Sequence, residues 1–213
     1  MAMQITEASI FNHEGNTIKT EDREIHIITK IEEPCIAVLG NVLSTEECEE
    51  LIRISKDNMN RSKIGSHRDI SDIRTSSGTF LPEIENDVVS RVEKRVSQIV
   101  NVPVEHGEGL HILNYKVGQE YKAHLDYFTS TNKTVNNPRI STLVMYLNDV
   151  EEGGETYFPH LNLSVEPKQG MAVYFEYFYQ DPSLNELTLH GGSPVIVGEK
   201  WAATQWIRRQ QYR

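Results

Sequence analysis

From Gly109 to the C-terminus, apolar runs of strand length alternate with glycine-bearing turns, and this pattern limits the fold more than any other feature of the chain. The runs cover residues 110–117, 121–127, 140–147, 155–158, 163–167, 171–178, 187–190, 194–197 and 200–207. Between them fall Gly118-Gln119, Gly153-Gly154, Lys168-Gln169-Gly170, Gly191-Gly192 and Gly198-Glu199. Many short strands joined by such turns indicate a sandwich or barrel. Alternation alone does not distinguish one sandwich topology from another.

The first half reads differently. Residues 25–31 and the run Cys35-Ile36-Ala37-Val38-Leu39 suggest two strands in a polar, mixed setting. Ser44-Thr45-Glu46-Glu47 is a capping-box pattern, in which Ser44 accepts from a free helix N–H while Glu47 reaches back. The helix it opens carries Cys48, Leu51, Ile52 and Ser55 on one face. Residues 57–79 are polar and read as a long loop. A second helix is predicted over 82–100, with Ile84, Val88, Val92, Val96 and Ile99 recurring at helical spacing. The expected architecture is mostly β with N-terminal helices: one domain over residues 1–213, with helical support at about 44–100 and a jelly-roll core at about 109–208.

Composition excludes several classes. The formal net charge of −10 and the lack of a long basic run argue against nucleic-acid binding, which relies on neutralising phosphates; the short Arg208-Arg209 pair does not alter this. No apolar run approaches membrane-spanning length, and no charged segment followed by an apolar one marks a leader, so no membrane partner and a cytoplasmic location are expected. Cys35 and Cys48 lie in no CxxC pattern and read as small buried hydrophobes. His13, His26, His67 and His106 sit in polar surroundings and are expected to be solvated, His111 reads as a core or rim histidine, and His160 has no assigned role. The N-terminal helical pair leaves room for a homodimer without establishing one.

The chemical signal is His124-Leu125-Asp126. Residues two apart on a strand share a face, so an imidazole and a carboxylate can meet at one point. With a second, distant imidazole they make the 2-His-1-carboxylate set that leaves three positions open on non-haem Fe(II). His-x-Asp by itself suits a surface strand equally well. His190, closing the apolar run 187–190 just before a glycine turn, is the candidate partner. Ten residues later Lys200 opens the next strand, where an inward ammonium would lose hydration and need an anion. Glu199 points to the opposite face, so a dicarboxylic cosubstrate would supply the charge; Lys200 snorkelling at a strand end is the alternative.

These residues fall into an ordered set. Asn114-Tyr115, His124-Leu125-Asp126-Tyr127, Gly153-Gly154-Glu155-Thr156-Tyr157-Phe158-Pro159, and His190-Gly191-Gly192-Ser193-Pro194-Val195 with Gly198-Glu199-Lys200-Trp201 resemble the collagen-type prolyl 4-hydroxylases, and more closely their short bacterial members. The resemblance begins at Arg74-Thr75-Ser76 and covers roughly residues 70–210. It implies a double-stranded β-helix and dependence on Fe(II), 2-oxoglutarate, O2 and ascorbate. Position by position it implies His124, Asp126 and His190 as iron ligands, and Lys200 as the residue on the C5 carboxylate of 2-oxoglutarate, with Tyr115 and Thr156 as hydroxyl donors beside it. Arg74, Tyr121, Arg139 and Trp206 match positions lining the peptide side.

The implied activity is hydroxylation of peptidyl proline at C4 in a proline-rich or collagen-like substrate. Two departures bear on the substrate. Neither the secretory signal nor the separate peptide-binding domain of the animal collagen enzymes is expected from these residues, and the chain has Phe175-Glu176-Tyr177-Phe178 where many relatives carry a Trp. Rival readings are the same oxygenase chemistry on free proline, lysine or a damaged nucleobase, and a non-catalytic metal- or peptide-binding jelly roll. Polar stretches 60–78 and 129–139 flank the motifs as candidate lids.

Overall fold

The last apolar run of the chain forms the longest strand, β15 (Lys200–Arg208), and every residue in it is buried. A strand reads as continuously apolar when both of its faces are covered, and the rest of the molecule supplies the two covers. The computed structural model describes residues 8–62, 72–81, 86–127 and 136–213. Numbered in chain order, the major sheet runs β1 (Thr17–Lys19), β2 (Glu24–Ile31), β3 (Ile36–Gly40), β12 (Ala172–Glu176), β8 (Arg139–Tyr146), β15, β6 (His111–Tyr115), β5 (Ser77–Phe80) and β4 (Asn60–Arg61). A second sheet of β11 (Leu163–Val165), β10 (Thr156–Phe158), β13 (His190–Gly192) and β7 (Tyr121–His124) packs on it, and β9 (Glu152–Gly153) pairs with β14 (Val195–Val197). All of these pairings are antiparallel, as expected of a jelly roll.

The period of two along β15 divides its side chains between the layers. Trp201, Ala203 and Ile207 join the core that contains Cys48 and Leu51 of α1 (Thr45–Ser55) and Val89, Val92, Val96 and Ile99 of α2 (Asp87–Val100). Each such aliphatic side chain contributes about 1.5–3 kcal/mol on burial. Lys200, Ala202, Thr204 and Trp206 face the other way and line a cleft between the sheets. Beside that cleft, Phe158 and Val165 of the smaller sheet pack against Tyr146, Val173 and Phe175 of the larger one.

The capping box forms as the sequence implies: Ser44 Oγ accepts from the Glu47 N–H at 3.2 Å, and Glu47 accepts from the Ser44 N–H at 3.0 Å. Glu47 has a second task, since Arg95 of α2 donates to both of its carboxylate oxygens at 2.8 and 2.7 Å while also reaching Asp22. The buried face of α2 is turned relative to the predicted one, with Val89 in the core and Val88 at its margin. The helix begins at Asp87 behind the cap Asn86; residues 82–85, including Ile84, lie outside the described residues.

Four further expectations need correction. The stretch 57–79 is not one loop, because β4 and the start of β5 extend the major sheet. Residues 187–189 are not a strand: α3 (Pro182–Glu186), capped by Asp181, continues into turns, with the Leu187 N–H on Ser183 O and the Leu189 N–H on Glu186 O. His190 therefore opens a strand rather than closing one. The strand expected over 121–127 ends at His124, so Asp126 stands in the bend beyond it. His13 and His106 are half-buried rather than solvated, each with a ring nitrogen on a backbone carbonyl, Ile99 O at 2.7 Å and Arg208 O at 3.1 Å. His67 and parts of both candidate lids, 63–71 and 129–135, fall outside the described residues. No helix among the described residues is long and apolar enough to cross a membrane.

Candidate active site

β13 lies antiparallel to β7 with His190 directly opposite His124. Cross-strand pairing thus brings together two imidazoles far apart in sequence, their ring centroids 4.4 Å apart. The bend after β7 turns Asp126 back toward both: Oδ1 lies 3.4 Å from His124 Nε2, and Oδ2 lies 3.7 Å from His190 Nε2. The three donor atoms are all within 4.8 Å of one another. Each ring is oriented by the backbone two residues before it, His124 Nδ1 on Lys122 O at 2.9 Å and His190 Nδ1 on Thr188 O at 3.0 Å. A carbonyl can only accept, so Nδ1 carries a proton in both rings, which leaves Nε2 as the nitrogen turned toward Asp126.

Charge follows the same geometry. Burial raises the Asp126 carboxyl, but the imidazoles of His190 and His124 and the guanidinium of Arg139 outweigh it and hold the group well below the usual carboxylate range. Burial, with His124 alongside, pushes His190 down to about 4, so it is neutral at neutral pH. An ionised carboxylate and a neutral imidazole are the protonation states a divalent metal requires of such ligands. The thiols do not compete, because burial pushes Cys35 and Cys48 up to about 12.

Lys200 is the cation of the cleft. Its ammonium is buried and donates to Gly154 O at 2.6 Å, and among the described residues no carboxylate lies within ion-pair distance of it. Glu199 points away, to Lys116 and Asn114. Tyr115 pairs with Lys200 across β6 and β15, its ring centroid 5.6 Å from the ammonium. The Thr156 hydroxyl accepts from Tyr146 Oη at 2.8 Å, and Tyr115 and Thr156 both line the cleft that holds Lys200, His124, Asp126 and His190.

The chain is similar to known oxygenases over most of its length. Residues 110–208 match the 2OG-Fe(II) oxygenase superfamily. Probable prolyl 4-hydroxylase 10 of Arabidopsis thaliana is 41% identical over 224 residues, covering 93% of this chain and 76% of that protein. Prolyl 4-hydroxylase 5 of the same plant is 40% identical over 233 residues, covering 98% of this chain and 78% of the relative. The chain belongs to the prolyl 4-hydroxylase family. A viral collagen prolyl hydroxylase from Paramecium Bursaria Chlorella virus-1, solved as its 2OG complex, superimposes with a TM-score of 0.66 at 30% identity, over 81% of this chain and 95% of that one. A Pseudomonas putida prolyl-4-hydroxylase, at TM-score 0.60 and 20% identity, shares the fold. As a member of this family the protein is a 2-oxoglutarate- and Fe(II)-dependent dioxygenase of the prolyl 4-hydroxylase type.

Within this prolyl 4-hydroxylase the four residues expected on the peptide side surround the triad and are tied to it. Tyr121 stacks on His124 with centroids 3.5 Å apart, and the Arg74 guanidinium lies 4.8 Å over the Tyr121 ring. Arg139 stacks 3.9 Å over Trp206 while donating to Glu108 at 2.6 and 2.8 Å. Trp206 Nε1 donates to Asp126 Oδ2 at 3.0 Å. Sequence reasoning missed Glu108, Thr142, Tyr177 and Phe80. The available signal for Thr142 was a polar pair, Ser141-Thr142, inside an otherwise apolar strand. His111 is buried, with Phe80 stacked 4.1 Å away, and burial together with Arg74 and Arg139 keeps it neutral.

Proposed function

We propose that His124 and His190, through Nε2, and Asp126, through one carboxylate oxygen, hold the ferrous ion of this prolyl 4-hydroxylase. The observation that carries the reading is the convergence of three ligand atoms within 4.8 Å in the lining of one cleft. The donor set also fits the metal, since two imidazoles and a carboxylate suit Fe(II) and leave three positions open. When bound, Fe(II) with 2-oxoglutarate and O2 supplies the oxidising chemistry; the protein supplies position and a dry pocket.

Lys200 is assigned to the far carboxylate of 2-oxoglutarate. A buried ammonium whose acceptor is a neutral carbonyl is unstable until an anion arrives, and a charged hydrogen bond gains strength away from water. Tyr115 and Thr156, which line the same cleft, are assigned as hydroxyl donors beside Lys200. Tyr121, Arg74, Arg139 and Trp206 form the wall against which the peptide rests. The substrate is a proline-rich or collagen-like peptide, a flat aromatic and guanidinium wall being suited to pyrrolidine rings and backbone carbonyls. Ascorbate is assigned as the reductant that keeps the iron ferrous. The cytoplasm is the proposed compartment, and the two free buried thiols fit reducing conditions.

The test is to incubate purified protein with Fe(II), 2-oxoglutarate, ascorbate and either Gly-Pro-Pro-type or other proline-rich peptides. Each productive peptide should gain one oxygen atom on proline, matched by succinate release that needs added Fe(II). Release that is unaffected by peptide, or oxygen found on free proline alone, would overturn the substrate assignment.

A further inference from the structure

Thr142 on β8 matches none of the positions assigned to iron, cosubstrate or peptide, yet its hydroxyl lies 2.7 Å from Asp126 Oδ2. On its other side stands Tyr177 Oη, at 2.8 Å, and both side chains are buried. Chemistry fixes the direction of every proton in this chain. An ionised carboxylate only accepts, so the single hydroxyl proton of Thr142 points at Asp126. Thr142 Oγ1 then accepts from Tyr177, whose phenol is the donor. Trp206 Nε1 brings a second donor to the same carboxylate oxygen at 3.0 Å.

Two donors therefore occupy Oδ2, while Oδ1, the oxygen 3.4 Å from His124 Nε2, receives neither of them. Rotation of the carboxylate about its own axis would sacrifice both hydrogen bonds in a buried setting, where an unmade bond is expensive. We propose that Thr142, backed by Tyr177, is a positioning residue that turns Asp126 so that it offers the metal Oδ1 alone. The inference rests on the assignment of Asp126 as an iron ligand. One-oxygen binding has a consequence for turnover: a carboxylate bound through both oxygens would fill a position that the facial arrangement leaves open for cosubstrate or dioxygen.

The experiment is a Co(II) titration of the metal-free full chain, followed by visible absorption, with and without 2-oxoglutarate. Wild type and His124→Ala are measured first; if wild type takes up no Co(II), or His124→Ala takes it up equally well, the iron assignment itself has failed. Given a wild-type site, Thr142→Val should bind Co(II) about 10- to 100-fold more weakly, with altered visible bands, as expected when a hydrogen bond behind a ligand is lost. Thr142→Ser, which keeps the hydroxyl and loses the methyl, should restore both affinity and spectrum. The double variant Thr142→Val/Tyr177→Phe leaves no buried hydroxyl unpaired and should follow the single Val variant. Wild-type affinity and spectrum in a folded Val or double variant would overturn the proposal. So would equal loss in the Ser and Val variants, which would assign the effect to methyl packing, or unfolding of both the Val and the double variant, which would assign the pair to the fold.

Discussion

Lys200 carries a charge that its own surroundings do little to neutralise, and two predictions follow from that. Burial pushes its ammonium down from 10.5 to about 8, with Glu155 only partly opposing the shift. The charged form, which is the one that grips a carboxylate, therefore prevails below pH 8 and is lost as the pH rises through it. The apparent KM for 2-oxoglutarate is expected to stay flat up to about neutral pH and to climb above pH 8, because each binding event must then first recover a proton. A KM that stays level into the alkaline range would show that another group holds the cosubstrate. Lys200→Ala removes the charged hydrogen bond altogether, worth roughly 1.5–3 kcal/mol, and should raise the 2-oxoglutarate requirement about 10- to 150-fold. Steady-state kinetics at saturating peptide reads both effects. His124→Ala and Asp126→Ala should instead abolish turnover at any cosubstrate concentration, since each removes a proposed iron ligand rather than the proposed anchor.

At the level of strands, the site depends on how closely β13 can approach β7. Gly191 is the position that permits it: a Cβ there would lie 2.5 Å from the Tyr157 ring and hydroxyl and 2.8 Å from the Tyr121 carbonyl oxygen of the partner strand. The tyrosine can swing aside, but the carbonyl belongs to the ladder and cannot. Gly191→Ala should therefore push β13 away from β7, carrying His190 off its position opposite His124. Overpacking of this kind costs about 1–3 kcal/mol, and metal uptake should fall by at least the 10-fold that a displaced ligand implies. Gly118 is the control, with φ +78° but nothing within 4 Å of an added Cβ. Its alanine variant should show backbone strain in Tm while binding Co(II) like wild type; if the two variants behave alike, close strand approach is not what assembles the site.

The same strands show what a sequence can and cannot reveal. Runs that pack one residue against its near neighbours, such as β8, β12 and β15, were legible because burial on both faces writes itself into composition. Residues 187–189 alternate as a strand should, but Asp181-Pro182 upstream starts a short helix whose last turn claims their N–H groups. The three proposed ligands, which the fold brings within 4.8 Å of one another, were picked out by spacing and resemblance. Their supports were not: Thr142 and Trp206 reach Asp126 across 16 and 80 residues of chain, and nothing local to either marks the contact.

Across the whole molecule, chemistry and support are segregated by the two faces of the major sheet. Lys200, Ala202, Thr204 and Trp206 of β15 face the cleft, whereas Trp201, Ala203 and Ile207 face the helices. The helices are in turn locked together by Arg95, which is fully buried between Glu47 of α1 and Asp22. Removing one partner of a buried pair costs up to about 3–5 kcal/mol, and without Glu47 the buried Arg95 would keep only the partly exposed Asp22 as a carboxylate partner. Glu47→Ala should thus destabilise the protein by that order, the loss of its capping bonds adding to the loss of the ion pair. In a domain of this size 1 kcal/mol shifts Tm by roughly 2–4 °C, so a fall of about 6–20 °C is expected by thermal melting. Well below the new Tm, the layered arrangement requires the folded variant to keep the wild-type Co(II) affinity and KM for 2-oxoglutarate, because among the described residues no hydrogen bond of the triad passes through the helical layer. A shift in either quantity in fully folded Glu47→Ala would mean that the sheet transmits strain from one face to the other, and that the helices help shape the metal site rather than merely covering the sheet that carries it.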